Sequence, residues 1–499
     1  MAIADMIGLF CRTAHAPSHT RARRWGYTIL GAWLAGIGDD GRAAGRGPAE
    51  RNDHEEPRVR RSIALLFATT LAGCAHYSTL PLATTAPLAP TVAALDGPAP
   101  SMPLTVEQVV TLALANNPDL RAARLKRGVA AGQATQAAVL ANPSLSGAFL
   151  PLLSGAGAVP AWNLGLAQDI KSLVTYRARR RAATASTRQI AADLVWQEWQ
   201  IAGQARQIAT DIIIGTRGRP TYVAAFDLLA DRNGKLERAL ATRTVTLVTV
   251  APDRLALQAA RTSLNTFDQT LLSQRHQLNA LLGLTPEAVV PLVAAPDLPS
   301  FDPAAIRAAL STLPDRRPDL LALRLGYTAA DEQLRVAILS QFPDLILGGS
   351  VSSDSSRVIN GGPSVQVGIP VFDRNQGNVA IARATRAQLH ADYAARLATA
   401  TGTVGALLRE YEQLAAQLAI ARRDLPAART AAARAQAAFG ASNIDERGYV
   451  DLVSDRFAKE EEIMTLELAL FDRQVAIQTL VGDGLPTIDG SAEQSGTDR

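Results

Sequence analysis

Residues 363–371, "PSVQVGIPV", set Val365, Val367, Ile369 and Val371 against Ser364, Gln366 and Gly368, the period of two that marks a half-buried strand. Leu345, Leu347, Gly349 and Val351 alternate with Ile346, Gly348, Ser350 and Ser352 in the same way, and so do Trp162, Leu164 and Leu166 with Asn163, Gly165 and Ala167. Four strands are predicted, at 145–150, 162–170, 345–352 and 365–371, joined by loops rich in Gly, Ser, Pro and Asn. After each pair of strands the period changes. Val404, Leu407, Tyr411, Leu414 and Leu418 step by three and four, a coiled-coil seam. One helix is predicted over 374–439, about 100 Å long at 1.5 Å per residue. The chain breaks at 441–449 and returns through 450–481. In the first half a helix runs out through 171–243, breaks near 244–253 and returns through 255–282.

These patterns are written twice. Residues 116–150 align with 316–350 at an offset of 200, so that Pro118 meets Pro318, Asp119 Asp319, Leu120 Leu320, Arg124 Arg324, Gln133 Gln333 and Pro143 Pro343. The halves also end alike, "LNALLG" at 278–283 and "IQTLVG" at 477–482. The spacing is too large for a solenoid, so this is an internal duplication. In each half Thr105 or Asp302 is placed to cap a short helix. A helix of about 22 residues follows "PDL" and stops at "NP" or "FP", where proline forbids its continuation. Gly215, Gly218 and Pro220 interrupt the first long helix, at a cost of about 1 kcal/mol per glycine and 3 for the proline. A kink or short non-helical step is expected there.

Strands of this length suit a tilted transmembrane β-strand. Four cannot close a barrel, an open edge is not tolerated in lipid, and the smallest membrane barrels have about eight strands. Copies of the chain must therefore pool their strands. Three would supply twelve, and two helical hairpins per chain would continue them as a tube of twelve helices. The composition agrees: only 5% of residues are aromatic, and Ala-rich helices can pack closely along their length.

Charge changes the picture at one end only. The net charge is +4, but residues 1–73 hold 10 Arg against 7 acidic residues, leaving 40 basic and 39 acidic residues after them. A basic surface for nucleic acid is not supported. Arg58, Arg60 and Arg61 precede a short apolar run, 62–73, too short to span a bilayer as an anchor. Leu71-Ala72-Gly73-Cys74 resembles the lipobox of bacterial lipoproteins, which implies acylation (palmitate) of Cys74 as the first mature residue. Ala75 follows it, where an Asp would favour inner-membrane retention, and by resemblance this points to the outer membrane. Several acyl chains anchor firmly, at about 0.8 kcal/mol per buried CH2. A second apolar stretch at 25–38 is best explained by a start codon upstream of the true one. After Cys74 the sequence contains no further cysteine, so no internal disulfide can form.

From about 104 to 483 the chain resembles the outer-membrane efflux protein family, the TolC-like channels. The resemblance is carried by the paired "NNPDL" and "RRPDL", the "NP" and "FPDL" strand entries, "GIPVFDRNQG", "LNALLGLTPE" and "AIQTLVGDG". It implies a mostly α fold with transmembrane β: a TolC-like tunnel with two structural repeats per chain, a trimeric 12-stranded β-barrel in the outer membrane and a 12-helix periplasmic barrel. It further implies a homotrimer working with a periplasmic adaptor (membrane fusion) protein and an inner-membrane pump. The corresponding division is an N-terminal extension with signal peptide at 1–73, a lipidated linker at 74–103, repeats at 104–290 and 301–485, and a disordered tail at 486–499. "QDIKSLVTYRARR" partly resembles the "GKR…R" stretch of heavy-metal efflux components, without its glycine and preceding apolar pair.

No catalytic constellation is present, so an enzyme is not expected. His76, His276 and His390 stand apart, without metal-ligand spacing, and no phosphate loop or nucleophile elbow occurs; no cofactor or metal is implied. By the resemblance the breaks are hairpin tips that meet the adaptor, with Leu247, Val248, Pro252 and Asp253 at one and Asn443 and Ile444 at the other. Asp445, Glu446, Asp451 and Asp455 cluster at and after the second tip. Three copies would form acidic rings able to constrict a pore, or the four residues are a solvated helix end. A passive efflux duct is the leading function. A membrane-bridging coiled-coil scaffold or adaptor lipoprotein, or the outer-membrane factor of a type I secretion system, is the alternative.

Overall fold

The computed structural model describes residues 77–97 and 101–485. They fall into two compact units divided after Ala86. Residues 77–86 of the first have no helix or strand, and every helix and strand among the described residues belongs to the second. The expected signal segment, Cys74, His76 and the tail at 486–499 lie outside the described residues.

The first repeat comprises α1 (Val106–Asn116), α2 (Pro118–Ala137), β1 (Ser144–Leu150), β2 (Ala161–Asp169), α3 (Lys171–Ala241) and α4 (Leu247–Leu282). The second comprises α5 (Pro303–Ala309), α6 (Leu313–Arg316), α7 (Pro318–Leu339), β3 (Leu345–Ser353), β4 (Ile359–Val367), α8 (Gln376–Gly440) and α9 (Glu446–Val481). Helix starts obey local chemistry. Thr105 and Gln108 form a reciprocal capping box on α1, with Gln108 N–H donating to Thr105 Oγ1 at 3.2 Å and Thr105 N–H to Gln108 Oε1 at 3.0 Å, satisfying two otherwise orphaned donors. Asp302 Oδ1 accepts from the Ala304 N–H at 2.9 Å on α5. Pro118 and Pro318 sit in the first turns of α2 and α7, where a missing N–H costs nothing.

The four strands form one antiparallel sheet in the order β1-β2-β3-β4. The central pairing, β2 with β3, joins the two repeats. Three strands match their predicted positions to within one residue. β4 does not: it spans 359–367, where 365–371 was predicted. Asp354 fixes this register, its Oδ1 accepting from the N–H groups of Ser356 and Val358 at 2.8 and 3.0 Å and so closing a tight turn directly after β3. Asn360, Gly361, Gly362 and Pro363, loop-like in composition, are thereby drawn into pairing with residues 349–352. At the other end the Gly368 N–H donates to the Asp344 carbonyl at 2.8 Å and the Val371 N–H to Ile369 at 2.9 Å. Ile369 and Val371 therefore lie beyond the sheet.

α3 runs unbroken through Gly215, Gly218 and Pro220, correcting the expected non-helical step. The glycine has a packing reason: a Cβ at Gly218 would lie 1.8 Å from Met464 Sδ of α9. The absence of side chains lets the two long helices touch, and tertiary contact outweighs propensity. Both hairpin breaks are shorter than predicted. They occupy 242–246 and 441–445, so α4 and α9 start at Leu247 and Glu446 rather than at 255 and 450.

The main core joins α1, α3 and α4 through Leu112, Trp199, Ile213, Leu271, Leu278 and Leu282. Val92 belongs to it as well, held by parallel backbone pairing of Ala89 with 283–285 and of Leu104 with 291–293. The corresponding cluster of the second repeat, Ile306, Leu313, Val404, Leu408, Ile477 and Val481, lies among α5, α6, α8 and α9. Across the repeats, α3 packs against α7 and α9.

Candidate functional site

Register decides what the sheet can do. Direct partners share a face, so Leu145 and Phe149 of β1 lie with Trp162, Leu164 and Leu166 of β2, with Leu345, Leu347 and Val351 of β3, and with Ile359, Val365 and Val367 of β4. The opposite face carries Ser144 and Ser146, Asn163, Gly165, Ser350, Ser352, Asn360, Ser364 and Gln366. The apolar side chains are uncovered: Phe149 is 69% exposed, Leu164 51%, Ile359 68% and Val365 64%. In water such a patch is a liability; facing hydrocarbon it is what a barrel exterior requires. Among the described residues nothing pairs with the outer edge of β1 or β4. No helix of the described residues is long and apolar enough to cross a membrane.

At the far end of the long helices the two tips have the same backbone. Arg243 and Ser442 both take the left-handed conformation, φ 60° and 59°. In one tip the Thr242, Arg243 and Thr244 N–H groups donate to the carbonyls of Arg238, Leu240 and Ala239, and in the other those of Ala441, Ser442 and Asn443 donate to Ala437, Phe439 and Ala438. This is the Schellman closure of a helix C-terminus, here made without glycine. Leu247 and Val248 are exposed at the first tip, Val248 by 83%, and Pro252 is exposed in the second turn of α4. Asp253 is instead turned inward, its side chain 15% exposed and ion-paired with the 8%-exposed Arg232 of α3. At the second tip Asn443 is exposed and Ile444 half-buried, and Phe439 stacks on Tyr449 with ring centres 5.0 Å apart.

The four acidic residues play different parts. Asp445 caps α9, accepting from the Gly448 N–H at 3.0 Å. Glu446 accepts from Lys235 Nζ of α3 at 2.7 Å, and Lys235 also meets Asp231 at 2.7 Å. Hydrogen bonds to Asp231 and Glu446 hold the Lys235 ammonium above its ordinary pKa. Asp451 lies exposed 3.8 Å from Arg447 of its own helix, and Asp455 is exposed one turn further on. Of the four, only Asp451 and Asp455 are neither a cap nor tied to another helix. Lys235, which ties the two tips together through Glu446, and Arg232, which ties α3 to α4 through Asp253, were missed from sequence. Their signal is a basic residue within three turns of a helix-hairpin break, opposite an acid that begins the return helix. Among the described residues no group of three or more His, Cys, Asp or Glu could hold a metal ion.

Residues 309–483 match a family model described as outer membrane efflux protein. The match covers about a third of the chain. The matched segment is the second repeat, and the first repeats its order of elements. The cation efflux system protein CusC of Escherichia coli K12 is 22% identical over 260 residues, 50% of this chain and 56% of the relative. The chain thus matches little more than half the length of that relative. Among solved structures, the Campylobacter jejuni CmeC outer membrane channel superposes with a TM-score of 0.63 at 17% identity, covering 78% of this chain and 88% of that one. The Vibrio cholerae outer membrane protein VceC gives 0.60 at 18%, covering 76% and 96%. These likenesses show the fold, which the chain shares with those outer-membrane channels.

Proposed function

We propose that three copies of this chain form an outer-membrane efflux duct, a passive channel through which an inner-membrane pump and a periplasmic adaptor export substrate. The uncovered apolar sheet face, backed by a polar one and flanked by two unpaired edges, carries this reading. Three four-stranded sheets joined β4 to β1 make a closed 12-stranded barrel with the apolar face on lipid and the polar face on the lumen. The helical hairpins extend it as a 12-helix periplasmic tube. Cys74, acylated, anchors each copy in the same membrane. No step of chemistry is assigned to the chain, and the pump determines what passes.

The tips meet the adaptor through Leu247, Val248 and Pro252 on one side and Asn443 and Ile444 on the other. Asp451 and Asp455, three copies each, form the acidic constriction behind them. Cysteines introduced in pairs along the outer edges of β1 and β4 test the assembly. A disulfide-linked trimer in detergent is the expected product. A chain that stays monomeric and soluble without detergent after removal of the lipid would overturn the reading in favour of a membrane-bridging scaffold.

A further inference from the structure

Midway along the long helices, two carboxyl groups from different repeats face each other. Asp211 of α3 and Asp472 of α9 are in hydrogen-bond contact. Two neutral amides complete the cluster, Gln207 Nε2 donating to Asp472 Oδ1 at 3.3 Å and Gln274 Nε2 of α4 donating to Asp211 Oδ2 at 3.3 Å. The remaining oxygen, Asp211 Oδ1, is shut off from solvent and has no donor. Two ionised carboxylates would place like charges side by side and leave that oxygen orphaned, a cost of a few kcal/mol for a charged group. One proton removes both faults, because a protonated carboxyl donates where the carboxylate could only accept.

The surroundings offer no alternative neutralisation. Among the described residues no cation bonds to either carboxyl. Arg473, next to Asp472 on α9, acts on it from a distance while its guanidinium binds Glu410 of α8 at 2.6 Å. On α4, Asp268 binds Arg219 of α3 at 2.7 and 2.8 Å, with Arg275 acting on it from further off. On α3 the neighbours are neutral Gln207 and the apolar Ile212 and Ile213. We infer that a single proton shared by Asp211 and Asp472 clamps the first-repeat hairpin to the second, and that its loss as pH rises releases the two helices from one another. Burial, then the Asp472 charge, push Asp211 up to about 8, and burial raises Asp472 as well.

The direction follows from linkage. Apart, the two carboxyls titrate near the ordinary aspartate value; together they hold a proton to about pH 8. The contact is strongest below about pH 4, weakens by about tenfold in its closed-to-open ratio per pH unit between the two values, and levels off above the upper one. The inference concerns contacts within one chain and does not depend on the duct reading.

Hydrogen–deuterium exchange of the full-length protein in detergent, from pH 5 to 9 and corrected for intrinsic exchange, tests it. Protection of α3 near 211 and of α9 near 472 is expected to fall with rising pH in the wild type, and Asp211→Asn, which supplies a permanent donor, is expected to flatten that slope. Infrared spectroscopy of the wild type supplies an independent readout: a protonated-carboxyl carbonyl band present at pH 6 and lost by pH 9. An unchanged slope in Asp211→Asn, or a wild type whose carboxyl band is absent at pH 6, would overturn the clamp.

Discussion

Arg317 and Asp319 form a buried bidentate pair, Nε to Oδ1 at 3.0 Å and Nη2 to Oδ2 at 2.7 Å, with side chains only 3% and 8% exposed. The guanidinium also lies 4.8 Å from the ring centre of Trp196 on α3 and donates from Nη1 to the Leu480 carbonyl near the end of α9 at 3.3 Å. Its counterpart Asn117 occupies the same joint in the first repeat, donating from Nδ2 to the Leu281 carbonyl near the end of α4 at 3.0 Å. Both residues tie the "PDL" helix to the end of the return helix.

Their removal should differ in cost. Arg317→Ala leaves the buried Asp319 with only the half-exposed Arg396, 3.9 Å away, as a counter-charge, so a loss of about 3 kcal/mol is expected. Asn117→Ala removes a neutral hydrogen bond and the cap that accepts from Leu120, a loss of about 1–2 kcal/mol. Chemical denaturation of the purified protein in detergent measures both, and equal losses would show that the pair is not the stronger joint.

The return helices end at Gly283 and Gly482, with φ of 71° and 82°. A Cβ at Gly283 meets nothing closer than the Asn116 carbonyl at 3.3 Å, whereas one at Gly482 would lie 2.0 Å from the ring of the buried Trp199. Gly283→Ala should therefore cost about 1–2 kcal/mol from backbone conformation alone. Gly482→Ala adds overpacking, for about 3 kcal/mol or more in all. Thermal unfolding followed by Trp fluorescence distinguishes them, since only the second change displaces an indole.

Cys74→Ala should abolish incorporation of labelled palmitate without preventing trimer formation, because the sheet face and its edges do not include that residue. Persisting label would place the acylated residue elsewhere, and loss of the trimer would make the lipid part of assembly.

If Asp451 and Asp455 line a constriction, Asp451→Ala with Asp455→Ala should raise single-channel conductance and reduce preference for cations. Asp445→Ala should act differently, costing about 1 kcal/mol through loss of the α9 cap. Conductance and selectivity unchanged in the double variant would make those two carboxylates a solvated helix face.

Much of this was legible in the sequence. The duplication, the capping by Thr105 and Asp302, the helices after "PDL" and three of four strand positions follow from local rules. The misplaced β4 shows where such rules fail: Ile369 and Val371 keep the strand alternation, but pairing is decided by the turn that Asp354 closes. Helix α3 shows the same from the other side, since Gly218 looks like a breaker until Met464 is seen against it. At the tips, sequence located the breaks but placed them too far along, because the Schellman closure at Arg243 and Ser442 uses residues with no intrinsic preference for it. The Asp211–Asp472 and Arg317–Trp196 contacts join residues more than 100 positions apart, and no local pattern announces them.

Planar-bilayer conductance of the purified, lipidated protein tests the duct most directly. Discrete channels of uniform size, larger once tip variants hold the periplasmic end open, are the predicted result. Electrical silence across voltage and salt, in the wild type and in the tip variants alike, would contradict it.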